Sequence, residues 1–282
     1  MAVRVVTDST CDLPRHLAQE LGITVVPAHV LFGQETYRDR VDIDEDEFYR
    51  RLVAGPVHPT TSVPSPEDFA AAYRSLAKET EEIISVHISS KLSGTCESAA
   101  MGARLVGGKC RIEVVDSKSM GMGLMLTAIA AGRESRMGSS LVRAVEEVRR
   151  AVLEIHNLAM ADTLKYAVKG GRVGKAYGIL GTALRIRILL GVRDGNVYVS
   201  GMARTRAKAL ECLHQFALSF PNVKEVAVGY ATELGDAKAL SQRLKTAFPE
   251  ALIYVARVGP AVGAYGGPGA MGIAIRTREA GR

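Results

Sequence analysis

Tryptophan is absent from this 282-residue chain, and aromatic residues make up only 5% of it. Surfaces that grip single-stranded nucleic acid stack bases on aromatic rings, so that function has little to work with here. Cysteine is scarce and scattered: Cys11, Cys96, Cys110 and Cys212 form no CxxC pair and have no histidine at ligand spacing. Neither a metal site, nor an iron–sulfur cluster, nor a disulfide framework is therefore expected. No apolar run reaches the roughly 18 residues of a membrane span, and no apolar signal segment opens the chain. The expectation is a reduced, cytoplasmic protein without stable membrane insertion.

A size of 282 residues allows one large domain or two ordinary ones, and 47% hydrophobic content is that of a packed globular protein. The net charge of +6 would permit nucleic-acid binding. However, lysines and arginines are dispersed among acids. The densest basic stretches, KGGRVGK (169–175), RIR (185–187) and ARTR (203–206), match no DNA-reading motif. No nucleic-acid partner is expected; the basic balance reads as a solvated surface, with an anion-binding edge as the sharper reading.

One arrangement occurs three times. A short apolar strand runs into a hydroxyl-rich loop at VRVVTDST (3–10), IISVHISSKLSGT (83–95) and RIEVVDSKS (111–119). These runs lack polar alternation, as strands buried on both faces do. In an open parallel sheet, ligands bind beyond the carboxyl ends of the strands, so the three loops would gather on one edge. Such an edge offers neutral hydrogen-bond partners for a small polar head.

The pattern to residue 156 is strand–helix alternation with parallel pairing expected. ITVVPAHVLF (23–32) reads as a strand pair or a bent strand, and 44–53 as a helix with acids at its start. Residues 55–69 read as a proline-held loop ending in Ser65, a helix N-cap followed by Pro66 at N1 and Asp68 at N3. Leu141, Val145, Val148, Val152 and Ile155 mark the clearest amphipathic helix. Beyond it, NLAMAD (157–162), RILLGVRDGNVYVSG (187–201), EVAVGYA (225–231), LIYVARVG (252–259) and GIAIR (272–276) are strand-like. Asp194-Gly195 signals a hairpin, so this second sheet is partly antiparallel. The fold class is α/β with two domains: an α/β/α parallel-sheet domain over 1–156 and a smaller mixed-sheet α/β domain over 157–282.

GGPGAMG (266–272) has GxGxxG spacing, but Pro268 lies inside it and a strand-like stretch follows, so it reads as a tight loop and not a dinucleotide fingerprint. GGRVGKA (170–176) lacks the Ser/Thr that a P-loop needs after Lys175. Ser93 is not a nucleophile elbow, because Lys91 stands where GxSxG requires glycine. The six histidines show no partner logic, and His87, alternating within a strand, reads as structural. Asp8 and Asp116 each close a strand; their expected role is to accept loop amides, since no third residue completes a metal site.

Seven segments in order, DSTCDLP (8–14), TTSVPSP (60–66), SSKLSGT (89–95), DSKSMGMG (116–123), KGGRV (169–173), RTRAKAL (204–210) and GPAVGAYGGPG (259–269), give the chain a resemblance to the DegV family of bacterial fatty-acid-binding proteins. That resemblance implies one long-chain fatty acid between the two domains, its tail in an apolar tunnel. It implies Thr61 and Ser93 on the carboxyl group, with Ser62, Gly94 and Tyr265 in support. It also implies a fatty acid kinase as partner, which makes an acyl phosphate, with Arg172 and Arg204 facing the transferring phosphoryl group or the kinase, and Arg206 beside them. No cofactor and no catalytic residue of the chain's own are expected. Two departures stand out. Tyr265 occupies the usual position of a histidine, and a phenol donates but does not titrate near neutral pH. Arg185-Ile186-Arg187-Ile188 replaces an N-I-K-P stretch.

The physical logic is independent of the family. A long acyl chain gains about 0.8 kcal/mol per buried CH₂, on the order of 10 kcal/mol in all. A carboxylate drawn in with it loses several kcal/mol unless hydrogen-bonded. The rival readings are a small-molecule kinase subunit or an acyl hydrolase on the same loops, which needs a base near Ser93, and a DNA-binding regulator suggested only by charge.

Overall fold

The computed structural model describes residues 2–108, 110–171 and 186–278. The chain begins with β1 (Arg4–Asp8), a 3-10 turn over Ser9–Cys11, α1 (Arg15–Leu21) and β2 (Ile23–Val26). Pro27 ends β2, as the missing N–H and fixed φ of proline dictate. The stretch ITVVPAHVLF therefore splits between two sheets. Its second half, β3 (His29–Phe32), pairs antiparallel with β4 (Glu35–Arg38) and, beyond α2 (Glu45–Ala54), with β5 (Thr60–Ser62). This small sheet corrects the expectation of uninterrupted parallel pairing, and it places a strand inside the proline-held 55–69 loop. α2 covers it through Phe48, Tyr49 and Leu52.

Ser65 then starts α3 (Pro66–Leu76) with a complete capping box: its hydroxyl accepts from the Asp68 amide, and its own amide donates to the Asp68 carboxylate. β6 (Glu82–His87), α4 (Thr95–Val106) and β7 (Arg111–Asp116) follow, giving a parallel sheet in the order β2-β1-β6-β7. α3 and α4 cover one face. The other face receives α5 (Met122–Arg136) and the amphipathic α6 (Leu141–Glu154).

α6 runs directly into β8 (Ile155–Ala161), followed by α7 (Lys165–Lys169), β9 (Arg187–Arg193), β10 (Asn196–Ala203), α8 (Arg206–Leu218), β11 (Val223–Tyr230), α9 (Leu234–Ala247), β12 (Leu252–Arg257), α10 (Pro260–Gly266) and β13 (Met271–Thr277). The second sheet has the order β10-β9-β8-β13-β11-β12; β11 and β12 are parallel and the other pairs antiparallel. The Asp194-Gly195 turn joins β9 and β10 with φ of +50° and +80°, as a two-residue hairpin requires.

α5 lies between the two sheets, and all of its residues except Arg133 and Arg136 are buried. A helix apolar all round belongs in a core of this kind. The second sheet admits it by alternating residue size. Val226, Val228, Ile273 and Ile275 face α8 and α9, whereas Ala227 and Ala274, with Ala256 of β12, face α5. Buried charge fastens the layers. Arg276, 1% exposed, bonds Glu154 at 2.7 Å and Glu147 at 2.5 Å from α6, and pairs with Glu225 of β11 at 3.4 Å. Glu225 in turn meets Arg133 of α5 at 2.7 Å.

Candidate functional site

α5 ends at Met122, but the two sheets it separates continue beyond it. The space left over is a cavity. Its floor is the Gly/Ala face of the second sheet, where Gly229, Gly272 and Ala159 stand side by side in register. Met120 and Met122 close it toward the helix, and Ile88 and Leu92 toward the parallel sheet. The cavity volume is about 200 Å³, far more than one water needs.

Polar groups meet this apolar space at few points, and most are hydroxyls. β5 carries Thr61, held opposite Val30 of β3. α10 carries Tyr265, whose ring lies so close to Gly170 that a Cβ there would be 2.2 Å from it. Thr61 Oγ1 and Tyr265 Oη share a hydrogen bond of 2.5 Å. Across the cavity wall, Ser93 Oγ and Thr95 Oγ1 share another of 2.8 Å. Thr95 is the first residue of α4, which has no side-chain cap, so the end of that helix dipole favours negative charge beside Ser93. Asp12 is the charged residue among those lining the described cavity. It is fully buried, and burial pushes its carboxyl well above the ordinary range despite nearby Arg40.

Thr61, Ser62, Ser93 and Tyr265 all come to the cavity. Gly94 lies exposed at the start of α4 and does not line it. Arg204 is exposed in the turn before α8, away from the cavity wall. Arg206 bonds Asp236 at 2.5 Å and the Gly269 carbonyl at 2.9 Å, bracing the glycine-rich loop. Arg172 and the Arg185 end of the RIRI stretch lie outside the described residues. Thr95 and Asn157, which also line the cavity, escaped sequence reading. Thr95 was legible as the hydroxyl two residues after Ser93; nothing near Asn157 in sequence marks it.

A histidine and an aspartate do converge on a serine, but not on Ser93. Asp8 accepts the amides of Thr10 and Ile88 and shares a hydrogen bond with His87 Nδ1 at 2.9 Å. His87 Nε2 shares another with Ser85 Oγ at 2.7 Å, and Ser85 Oγ a third with Tyr73 Oη at 2.8 Å. Asp8, Ser85, His87 and Tyr73 are all 0% exposed, and none borders the cavity. This triad-like chain has no route to a substrate. It is a core network that ties β1 and β6 to α3. Asp8 takes the loop-fixing role expected of it. Asp116 does likewise, accepting from Ser90 Oγ at 2.6 Å and the Lys118 amide at 2.7 Å. GGPGAMG lies between α10 and β13 and opens no helix. No cluster of metal-ligating side chains and no helix long and apolar enough to cross a membrane occurs among the described residues.

Fold and cavity together define a class: a two-sheet α/β protein enclosing an apolar, ligand-sized space edged by hydroxyls. Residues 2–278 match the family described as "Uncharacterised protein, DegV family". The chain belongs to the DegV family. A DegV domain-containing protein of Deinococcus radiodurans is 35% identical over 286 residues, covering 99% of this chain and 100% of that protein. Among solved structures, a DegV family protein from Thermus thermophilus, described by its fatty acid binding, superposes with a TM-score of 0.89 at 32% identity, covering 99% of this chain and 100% of that one. A stearic-acid-binding protein from Eubacterium ventriosum gives a TM-score of 0.89 at 27% identity, covering 97% and 98%.

Proposed function

We propose that this chain binds one long-chain fatty acid without transforming it. The tail occupies the apolar cavity, and the carboxyl group takes hydrogen bonds from Thr61, Ser93 and Tyr265, with Ser62 and the Gly94 end of α4 beside them. The observation that carries this reading is the meeting of two hydroxyl pairs, Thr61–Tyr265 and Ser93–Thr95, with a space walled mainly by apolar groups. The mainly apolar lining suits an acyl tail. Hydroxyls and helix amides satisfy a carboxylate while leaving it free to react elsewhere, which suits a carrier that hands its ligand to a kinase. Arg172 and Arg204 belong to the kinase-facing side in this reading, and residues 1–156 and 157–282 are the two domains that flank the ligand. Acyl hydrolysis is disfavoured by Ser93, whose hydroxyl meets Thr95 and, among the described residues, no base.

The test is native mass spectrometry of the purified protein. The unmodified chain is expected to carry one fatty acid, and Thr61→Ala with Ser93→Ala to lose it while keeping its thermal transition. A fully loaded double variant would overturn the assignment of the head-group site.

A further inference from the structure

The β9–β10 hairpin is held differently from the rest of its sheet. β9 pairs with β8 only from Ile188 to Gly191, so residues Val192 to Val197 part from β8, whose residues Ile155–Asn157 pair with β13 alone, and pair only with each other. A two-stranded ribbon is marginal by itself in water. Gly191 stands where the overhang begins on β9, and a bulge between Val199 and Gly201 interrupts β10 nearby. The tip rests on a loop of the other sheet: Ser89 Oγ donates to the Gly195 carbonyl at 2.8 Å, and both residues are buried.

Ser89 is also the hub of the turn that presents Ser93. Its amide donates to the Ser119 carbonyl at 2.8 Å, its carbonyl accepts from the amides of Leu92 and Ser93 at 2.9 and 3.1 Å, and its hydroxyl accepts from the Lys91 amide at 3.2 Å. Val192 and Val197 of the overhang line the cavity opposite Leu92 and Ser93. One contact therefore closes a cavity wall and steadies the head-group loop together.

We propose that the overhang of the β9–β10 hairpin is a flap that lifts from Ser89 to admit and release the acyl chain, and whose seating restores the turn that presents Ser93. This rests on the fatty-acid reading above. The hinge is the Gly191 step on one strand and the bulge on the other. Glycine is favoured at the tip on two counts: φ is +80°, and a Cβ would lie 2.4 Å from Ser89 Oγ, an atom that the bridging sulfur replaces in the disulfide variant below.

That same ideal Cβ lies 3.6 Å from the Ser89 Cβ, within the range of about 3.5–4.5 Å found in disulfides. The variant Ser89→Cys with Gly195→Cys thus locks the flap when oxidised and frees it when reduced. Each form is loaded with a fluorescent polyene fatty acid, checked by native mass spectrometry, and mixed with excess albumin in a stopped-flow cell. The oxidised form is expected to release ligand at least about tenfold more slowly than the reduced form. Ser89→Ala alone is expected to release about three- to tenfold faster than the unmodified chain, the worth of one net hydrogen bond. Equal release from oxidised and reduced forms, or unmodified release from Ser89→Ala, overturns the flap and leaves the fatty-acid reading standing. Failure of every form to load, the unmodified chain included, overturns the reading itself.

Discussion

Replacing Tyr265 with phenylalanine removes one hydroxyl and keeps the ring that packs against Gly170. Thr61 and Tyr265 share one hydrogen bond of 2.5 Å at the edge of the cavity, and in the fatty-acid reading both hydroxyls serve the carboxyl group. A hydrogen bond to a charged group contributes about 1.5–3 kcal/mol. Tyr265→Phe is therefore expected to weaken fatty-acid affinity about 10- to 140-fold. Thr61→Ala should weaken it comparably. Because the two hydroxyls share a bond, the double variant should lose less than the sum of the singles, by about 0.5–3 kcal/mol. Loss of the Thr61–Tyr265 hydrogen bond itself should lower the stability of the unliganded protein by about 0.5–1.5 kcal/mol in either single variant. With no tryptophan to report binding, isothermal titration calorimetry on delipidated protein is the suitable assay. Affinity of Tyr265→Phe within twofold of the unmodified chain, or strict additivity with Thr61→Ala, would refute the shared clamp. Tyr265→His supplies a further check. An imidazole titrates near 6.5, so binding by that variant should strengthen as pH falls from 8 to 6, a trend the phenol does not impose.

Three other outcomes follow from the packing. Arg276→Met leaves Glu225 with Arg133 alone and takes from Glu154 its buried partner, and should cost about 3–5 kcal/mol in urea unfolding; a loss below about 1 kcal/mol would refute the fastening role. Burial pushes Asp39 up to about 7, against the opposing pull of Ser9, Arg40 and the Ala261 amide. The folded chain therefore holds a proton that the unfolded chain releases near pH 3.9. This contribution to stability is complete below about pH 4 and is lost as pH rises to 7, a change of up to about 4 kcal/mol that Asp39→Asn should abolish; parallel stability–pH curves for the two proteins would contradict it. Gly229→Val would bring a side chain against Met122, whose Cγ lies 2.9 Å from an ideal Cβ there, and drive it into the cavity. Mass spectra of the bound lipid should shift to shorter chains, each excluded methylene forfeiting about 0.8 kcal/mol; an unchanged chain-length distribution would refute that placement of Met122.

Much of this architecture was legible in sequence because the relevant signals are local. Asp194-Gly195, the Ser65-Pro66-Asp68 cap and the step of Leu141, Val145 and Val148 act within a few residues, and each element formed where its pattern stood. Thr61 and Ser93 were reached through motif resemblance, and they do meet one cavity. What escaped depends on pairs distant in sequence. Asp8 and His87 are 79 residues apart and Ser89 and Gly195 are 106 apart, and no spacing rule links them. The antiparallel β3–β4–β5 sheet escaped for a different reason: β5 has only three residues, too few to show a period.

The size alternation in EVAVGYA and GIAIR carried more than the strand assignment drawn from it. Large residues on alternate positions identify one buried face, but alanine and glycine on the others identify a face meant for close approach. Where α5 covers that face, Ala227 and Ala274 let the helix axis near the sheet. Two residues further along, Gly229 and Gly272 repeat the pattern after the helix has ended, so the clearance made for a helix stands open for something thinner. Polar floor residues there would hold water and resist an acyl chain; large apolar ones would fill the gap. A cavity of this kind needs no special wall of its own. It arises because a sheet face built for a helix is longer than the helix.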